Sequence, residues 1–195
     1  MSFYFGLVTR IDDVVIRFLL LHRTPLLTKA FYFITYFGEQ MVIGIMLIIL
    51  LAYLYLKKEM GYLYSCLFVF LATDASVYFI KIFVNRARPS ADMAYYLETS
   101  KSFPSAHAAI ALAFFGFVAY YLIKQTSEKN QKSAVIFSAT LLVLLVGFSR
   151  LYLGEHYLSD VLAGFIVGGM WLIIGIIIRQ KYFRASISSN TPSAL

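Results

Sequence analysis

Two histidines and one aspartate in this 195-residue sequence have the types and spacing for nucleophilic and acid–base chemistry. His156 and Asp160 are four residues apart, so on a helix they share one face. A carboxylate there can hold one imidazole nitrogen as N–H and leave the other as a nucleophile. His107 could then protonate a leaving oxygen as a general acid.

Three cations, Lys81, Arg88 and Arg150, could supply the charge that an anionic group requires. Two of them are guanidinium forks, which suit phosphate oxygens. The segment 103–107, Phe-Pro-Ser-Ala-His, is predicted to open a helix with proline near its first position. Its first backbone N–H groups then form an anion site, to which Ser105 adds a hydroxyl. A positive cradle, a nucleophile and a proton donor are the parts that phosphoryl transfer needs.

The elements that position these residues are predicted to be membrane-spanning helices. A bilayer core of about 30 Å needs about 20 helical residues, and the apolar stretches lack the period of two typical of barrel strands. The sequence therefore predicts an all-α integral membrane helical bundle. Three glycines in its last span, Gly164, Gly168 and Gly169, are expected to permit close helix packing. The fourth apolar stretch is short and should recruit polar residues at its ends. The five predicted spans run from about Phe37 to Leu56, Tyr62 to Ile80, Ala106 to Ile123, Ala134 to Phe148 and Tyr157 to Ile178.

Successive spans alternate in direction, and this alternation brings the reactive residues to one face of the membrane. Lys81 stands at the end of the second span and Arg150 at the end of the fourth. His107 and His156 stand at the starts of the third and fifth spans. All four span ends should therefore emerge at the same depth, where polar groups are costly unless they pair or function.

The two ends of the chain differ from the span-rich middle. Residues 1–36 are apolar but interrupted by charges and by Pro25, which favours a helical segment lying in the membrane interface. A kinked sixth span through this region is the alternative. Residues 185–195 are Ser-rich and predicted to be a flexible tail, which leaves 37–184 as the membrane domain. The distribution of Lys and Arg predicts a plasma (inner) membrane protein whose reactive residues lie on the extracytoplasmic face.

The composition excludes a soluble globular domain and a disordered chain. Hydrophobic residues make up 61% of the sequence and charged residues 14%, whereas soluble domains carry about 25% charged residues. The net charge of +7 favours anionic lipid head groups or a phosphorylated substrate over nucleic acid. Neither the carboxylate clusters that bind magnesium nor the Cys–His spacing that binds zinc is visible, so no metal or other cofactor is expected.

Three motifs resemble the signatures of the type 2 phosphatidic acid phosphatase superfamily. Residues 81–89 match Lys, six residues, Arg-Pro, and residues 149–160 match Ser-Arg, five residues, His, three residues, Asp. Residues 104–107 match Pro-Ser-Gly-His except that Ala106 replaces the glycine. Apart from that substitution, the order and the internal spacing agree with the family.

The resemblance implies a role for each matching residue. His156 would form a phosphohistidine and be oriented by Asp160, while His107 would be the acid. The methyl group of Ala106 is expected to affect rate or substrate choice without abolishing the site. The residues expected to hold the phosphate, together with nearby backbone amides, are Lys81, Arg88, Ser105, Ala106 and Arg150.

The sequence thus predicts a metal-independent membrane hydrolase that releases phosphate from a lipid monoester or diphosphate. The sequence does not choose among phosphatidylglycerophosphate, phosphatidate, undecaprenyl diphosphate and a phosphorylated glycolipid as the substrate type. One alternative is a lipid phosphotransferase that uses the same site. Another is a non-catalytic lipid-binding or transport protein that uses the cations only for recognition. The predicted partners are the lipid phosphate and the bilayer, and the sequence carries no signal for an oligomeric state.

Other polar residues near the site are expected to be structural. Arg86 and Lys101 are interpreted as cations that anchor helix ends at the membrane surface. Glu39 and Glu155 are interpreted as interfacial residues, with Glu155 at the border of the pocket mouth. Asp74, within the second span, is expected to form a structural salt bridge or hydrogen bond.

Overall fold

The computed structural model describes residues 2–90, 92–96 and 100–188, with side chains for 6–90, 92–96 and 100–181. These residues form helices joined by short turns and one longer loop between the fourth and fifth helices, and no strand occurs within the described ranges. A 3₁₀ turn at Tyr36–Gly38 follows the second helix. The α-helices are α1 (Ser2–Leu21), α2 (Pro25–Thr35), α3 (Gln40–Leu56), α4 (Met60–Val84), α5 (Ala106–Gln125), α6 (Lys129–Tyr152) and α7 (Leu158–Ser188).

The described helices confirm the predicted all-α membrane bundle. By length and apolar composition, α4, α5, α6 and residues Leu158–Lys181 of α7 qualify as four membrane spans. Helices α2 and α3, bent by 46° around Glu39, qualify together as a fifth. Counted as one span, this pair includes residues 25–38; the placement of residues 1–36 in the membrane interface stays a prediction. Helix α1 does not qualify, since two acidic and two basic residues interrupt it, so the predicted alternative of a sixth span is not supported.

Helix α5 is the most buried of the spans and packs against α4, α6 and α7. Its contact with α7 is close because α7 presents glycines to it. A Cβ at Gly164 would lie 2.5 Å from the Ser105 carbonyl oxygen, and one at Gly168 would lie 2.2 Å from that of Ala109. The packing role predicted for these two glycines is confirmed. Gly169 has only ordinary space around it, with the nearest atom, Leu112 Cδ2, at 3.4 Å.

Helices α6 and α7 both extend beyond the apolar stretches that predicted them. Helix α6 begins at Lys129 and ends at Tyr152, so it recruits polar residues at both ends as expected. Helix α7 continues to Ser188, which corrects the prediction that residues 185–188 belong to a flexible tail. No glycine or proline stands in residues 185–188 to end the helix there. The rest of the predicted tail, 189–195, lies outside the described residues.

Candidate active site

A cavity of about 620 Å³ lies between the break that joins α2 to α3, the second half of α4 and the start of α5, and it reaches the loop after α4 and the turn before α7. Lys81, Arg88, Ala106, His107 and His156 all line it. Behind this lining lie three further residues that the sequence singled out, and each is fully buried: Ser105, Arg150 and Asp160. The fold therefore brings all eight of the residues predicted from the sequence to one place.

His156 lies in the turn that joins α6 to α7, with 1% of its surface exposed. Its Nδ1 is 3.5 Å from Asp160 Oδ2, and its Nε2 accepts a hydrogen bond of 3.2 Å from Arg88 Nη1. Burial lowers the pKa of His156 well below its usual value, and the nearby cations Arg150 and Arg88 lower it further. The ring is therefore neutral at neutral pH, with Nδ1 facing a carboxylate and Nε2 facing the cations of the cavity.

Asp160, in the first turn of α7, has every side-chain oxygen hydrogen-bonded. Oδ2 accepts from Ser102 Oγ at 2.5 Å and from the Tyr157 backbone N–H at 2.9 Å, and Oδ1 accepts from Arg86 Nη1 at 2.7 Å. This corrects the interpretation of Arg86 as a membrane anchor. Arg86 turns into the protein because a buried carboxylate needs a cationic partner. Sequence reasoning missed Arg86 and Ser102; the one signal for Arg86 was its place inside the first motif.

Lys81 borders the cavity from the last turn of α4, and Arg88 borders it from the loop after that helix. Arg88 donates to the backbone oxygens of Ser100 at 2.7 Å and Glu155 at 2.8 Å. Lys81 donates through Nζ to the Lys101 backbone oxygen. Both cations are thus fixed by carbonyl groups. They still border the cavity, where a phosphate oxygen could meet them.

Arg150 lies at the back of the site, with no exposed surface. Its Nη1 donates to Thr35 Oγ1 at 2.9 Å and to the hydroxyl of Tyr96, and its Nη2 is 4.0 Å from Glu155 Oε2. Glu155 also lies 3.6 Å from Arg88 and is 1% exposed. Glu155 is therefore an interior counter-ion of the two arginines, which corrects its predicted place at the pocket mouth, because two buried cations require compensation.

His107, in the first turn of α5, borders the same cavity as His156. Its Nε2 is 3.2 Å from Glu39 Oε2, which stands at the break between α2 and α3. Glu39 was expected to be merely interfacial; its carboxylate can instead form an ion pair with a protonated His107, the form that a general acid needs.

Ser105 is the N-cap of α5, and its predicted contact with phosphate stays a prediction. Its Oγ accepts from the Ala108 backbone N–H at 3.5 Å, and its own N–H donates to the Asp160 backbone oxygen at 3.0 Å. The second bond ties the start of α5 to the first turn of α7. Ala106 follows as the first residue of α5 and borders the cavity.

The described residues contain no group of three or more His, Cys, Asp or Glu side chains arranged to hold a metal ion. Of the three cations predicted to bind phosphate, Lys81 and Arg88 border the cavity and Arg150 is buried behind it, and their contact with phosphate stays a prediction. The expectation that catalysis needs no metal stays a prediction.

Comparison with known proteins identifies one matching family and related phosphatases. The model of the PAP2 superfamily matches residues 61–184. Phosphatidylglycerophosphatase B of Bacillus subtilis (strain 168) is 32% identical over 180 residues, which cover 89% of this chain and 86% of that protein. Lipid A 4'-phosphatase of Porphyromonas gingivalis is 29% identical over 83% of this chain and 68% of that protein.

Two solved structures resemble the fold. The crystal structure of a transmembrane PAP2-type phosphatidylglycerolphosphate phosphatase from Bacillus subtilis superposes with a TM-score of 0.83 at 28% identity, covering 90% of this chain and 87% of that one. Aquifex aeolicus LpxE superposes with a TM-score of 0.65 at 24% identity, covering 85% and 94%. The second likeness concerns the fold alone.

Proposed function

The chain belongs to the PAP2 superfamily, and from this premise we propose that it is a metal-independent membrane lipid phosphatase acting through a phosphohistidine. The observation that carries the proposal is the setting of His156. This buried, neutral imidazole has its Nδ1 3.5 Å from a carboxylate and its Nε2 beside a guanidinium at the cavity wall. A nucleophile toward phosphate needs that arrangement.

In the first step His156 Nε2 attacks phosphorus while Lys81, Arg88 and Arg150 balance the charge of the phosphate oxygens. The N–P bond forms as the bond between phosphorus and the lipid oxygen breaks, and His107 donates a proton to that oxygen. Asp160 stabilises the positive charge that His156 gains. The lipid leaves as an alcohol, or as a monophosphate if the substrate is a diphosphate.

In the second step water hydrolyses the phosphohistidine. His107, now neutral, takes a proton from the water as its oxygen attacks phosphorus. The N–P bond breaks, the electron pair returns to His156 Nε2, and inorganic phosphate leaves. Both histidines are then back in their starting protonation states.

The lipid reaches the site along α4, where the cavity extends from the cations toward the middle of the span. Leu71 and Tyr78 border it and are largely exposed on the face that would meet lipid, at 57% and 61%. The acyl or prenyl tails can therefore stay in the bilayer while the phosphate enters. Asp74, on the same wall, accepts a hydrogen bond of 3.1 Å from Gln40 Nε2, the structural hydrogen bond expected from the sequence.

The proposed substrates are lipid phosphate monoesters or diphosphates of the phosphatidylglycerophosphate, phosphatidate or undecaprenyl diphosphate type. The first type is supported by the name of the Bacillus subtilis relative. The proposal that the site lies on the extracytoplasmic face of the plasma membrane rests on the cations at the opposite ends of α3 to α6, which are Lys57, Lys58, Lys124, Lys129 and Lys132. In this proposal residues 37–184 form the phosphatase domain.

The test is phosphate release by detergent-purified protein from these three lipids and a phosphorylated glycolipid, with EDTA present. Wild type should release phosphate from at least one lipid, and His156→Ala should lose at least about 10³-fold in kcat because it lacks the nucleophile. Wild type denatured in alkaline SDS should carry a radiolabelled phosphoryl group that the variant lacks, because the N–P bond of a phosphohistidine is stable in alkali and labile in acid. Equal activity of the two proteins would refute the phosphohistidine. Transfer of the label to an added acceptor lipid in place of water would favour a phosphotransferase, and failure to act on any lipid would favour a binding role.

A further inference from the structure

Helix α1 brings a buried carboxylate to the back of the active site. Asp12 is 1% exposed, although the sequence suggested only a charge interrupting an interfacial helix. Its Oδ1 accepts a hydrogen bond of 2.9 Å from the Ser159 backbone N–H, at the start of α7. Its Oδ2 accepts from Ser159 Oγ at 2.5 Å and from Arg86 Nη2 at 2.8 Å.

Arg86 joins Asp12 to the catalytic carboxylate. One terminal nitrogen, Nη2, binds Asp12, and the other, Nη1, binds Asp160 Oδ1 at 2.7 Å. The guanidinium is also fixed from one side by the ring of Tyr157, whose centroid is 4.3 Å away. Since a guanidinium is a rigid planar fork, fixing one of its ends fixes the other. A continuous path therefore runs from α1 through Arg86 to Asp160, and from there to His156.

The charges along this path explain why a second carboxylate is present. Arg86 and Asp160 alone form a pair with no net charge, which would weaken the attraction between Asp160 and a positive imidazole. Asp12 adds a second negative charge, so the three groups together carry one negative charge. That surplus can stabilise the positive charge that His156 gains when its Nε2 bonds to phosphorus.

We propose that Asp12 is a positioning residue of this enzyme, acting through Arg86 on Asp160, and that α1 is therefore part of the catalytic apparatus. The proposal rests on the function proposed above. Asp12 does not border the cavity, so it does not contact the substrate. Its loss should lower kcat and leave KM nearly unchanged.

The test compares Asp12→Asn with Asp13→Asn, which removes the same charge from the exposed neighbouring position of the same helix. We expect Asp12→Asn to lose about 10- to 100-fold in kcat with KM within about twofold of wild type, by analogy with the loss on removing the hydrogen-bond partners of metal-binding histidines. Asp13→Asn should match wild type. Inhibition by orthovanadate, which adopts the five-coordinate geometry of phosphoryl transfer, should weaken in Asp12→Asn by a factor similar to the loss of kcat.

A double-mutant cycle separates positioning from a general loss of structure. Because Asp12 acts through Arg86, Asp12→Asn should cost less than about threefold when added to Arg86→Gln. Wild-type kcat and vanadate inhibition in Asp12→Asn would overturn the inference, as would a loss that is additive with Arg86→Gln. The inference would also be overturned if the loss of kcat in Asp12→Asn were fully explained by a smaller fraction of folded protein, measured by gel filtration and thermal unfolding. If His156→Ala retains full activity, the proposed function fails and this inference fails with it; if only Asp12→Asn behaves as wild type, the inference alone fails.

Discussion

Adding one methyl group to α7 at Gly168 should separate the two halves of the active site. A Cβ at this position would lie 2.2 Å from the Ala109 carbonyl oxygen, whereas ordinary contact begins at 3.4 Å. Because real Cβ atoms essentially never approach within 3.0 Å of another heavy atom, Gly168→Ala requires α5 and α7 to move apart by about 1 Å. Helix α5 carries His107 and α7 carries Asp160, so the shift changes the distance between the acid and the nucleophile's partner.

The expected effect on rate follows from that distance. A misplacement of about 1 Å can cost about 100-fold in rate, and overpacking of this kind destabilises by about 1–3 kcal/mol. We therefore expect kcat for phosphate release to fall about 100-fold, with a lower unfolding midpoint, in detergent-purified Gly168→Ala. Phosphate release under saturating lipid, measured well below the midpoint of the variant, separates the loss of rate from unfolding.

The neighbouring glycine provides the matched control. A Cβ at Gly169 would make its nearest contact with Leu112 Cδ2 at 3.4 Å, which is an ordinary contact. Gly169→Ala should keep kcat within about twofold and gain some helix stability, since alanine is the better helix former. If Gly168→Ala keeps kcat within about threefold of Gly169→Ala, the close approach of α7 to α5 does not set the active-site geometry, and the reasoning is wrong.

Three further predictions concern the phosphate site, the nucleophile and the charge balance. Ala106→Gly removes a methyl from the cavity wall at the first position of α5; it should lower KM about two- to fivefold and cost at most about 1 kcal/mol of stability, and an unchanged or higher KM would contradict this. Burial lowers the pKa of His156 in the folded state, with help from Arg150 and Arg88. The unfolded chain therefore binds the proton more tightly, and stability is lost as pH falls below about 6.5, by at most about 1.4 kcal/mol per pH unit. The unfolding midpoint should drop more steeply between pH 7 and 5 in wild type than in His156→Gln, and parallel curves would refute the assignment. Treatment with EDTA followed by gel filtration should leave phosphate release within about twofold of the untreated enzyme; recovery of activity only on adding a divalent metal would show that the cations of the protein are insufficient.

The clustering of the candidate site residues could be predicted from the sequence because it depends on local geometry and on membrane topology. The four-residue spacing predicted that His156 and Asp160 lie together, and they do, with Nδ1 3.5 Å from Oδ2, although His156 stands in the turn before α7 and not on the helix that the spacing assumed. Apolar runs of span length must be helices in a bilayer, and helices that alternate in direction bring Lys81 and His107 to the same end. Composition alone required a membrane protein, since water could not cover so much apolar surface.

The partners of these residues were decided only by the tertiary structure. Asp12 and Ser159 are hydrogen-bonded although 147 positions separate them, and Arg86 and Asp160 although 74 do. In the sequence, an arginine at the end of a span can be either a surface anchor or the partner of a buried carboxylate. Nothing in the residues around Arg86 distinguishes these two roles. Burial distinguishes the two: once packing removes a charge from water it must be compensated, and which opposite charge lies within reach is set by how the helices pack, a property that no local spacing contains.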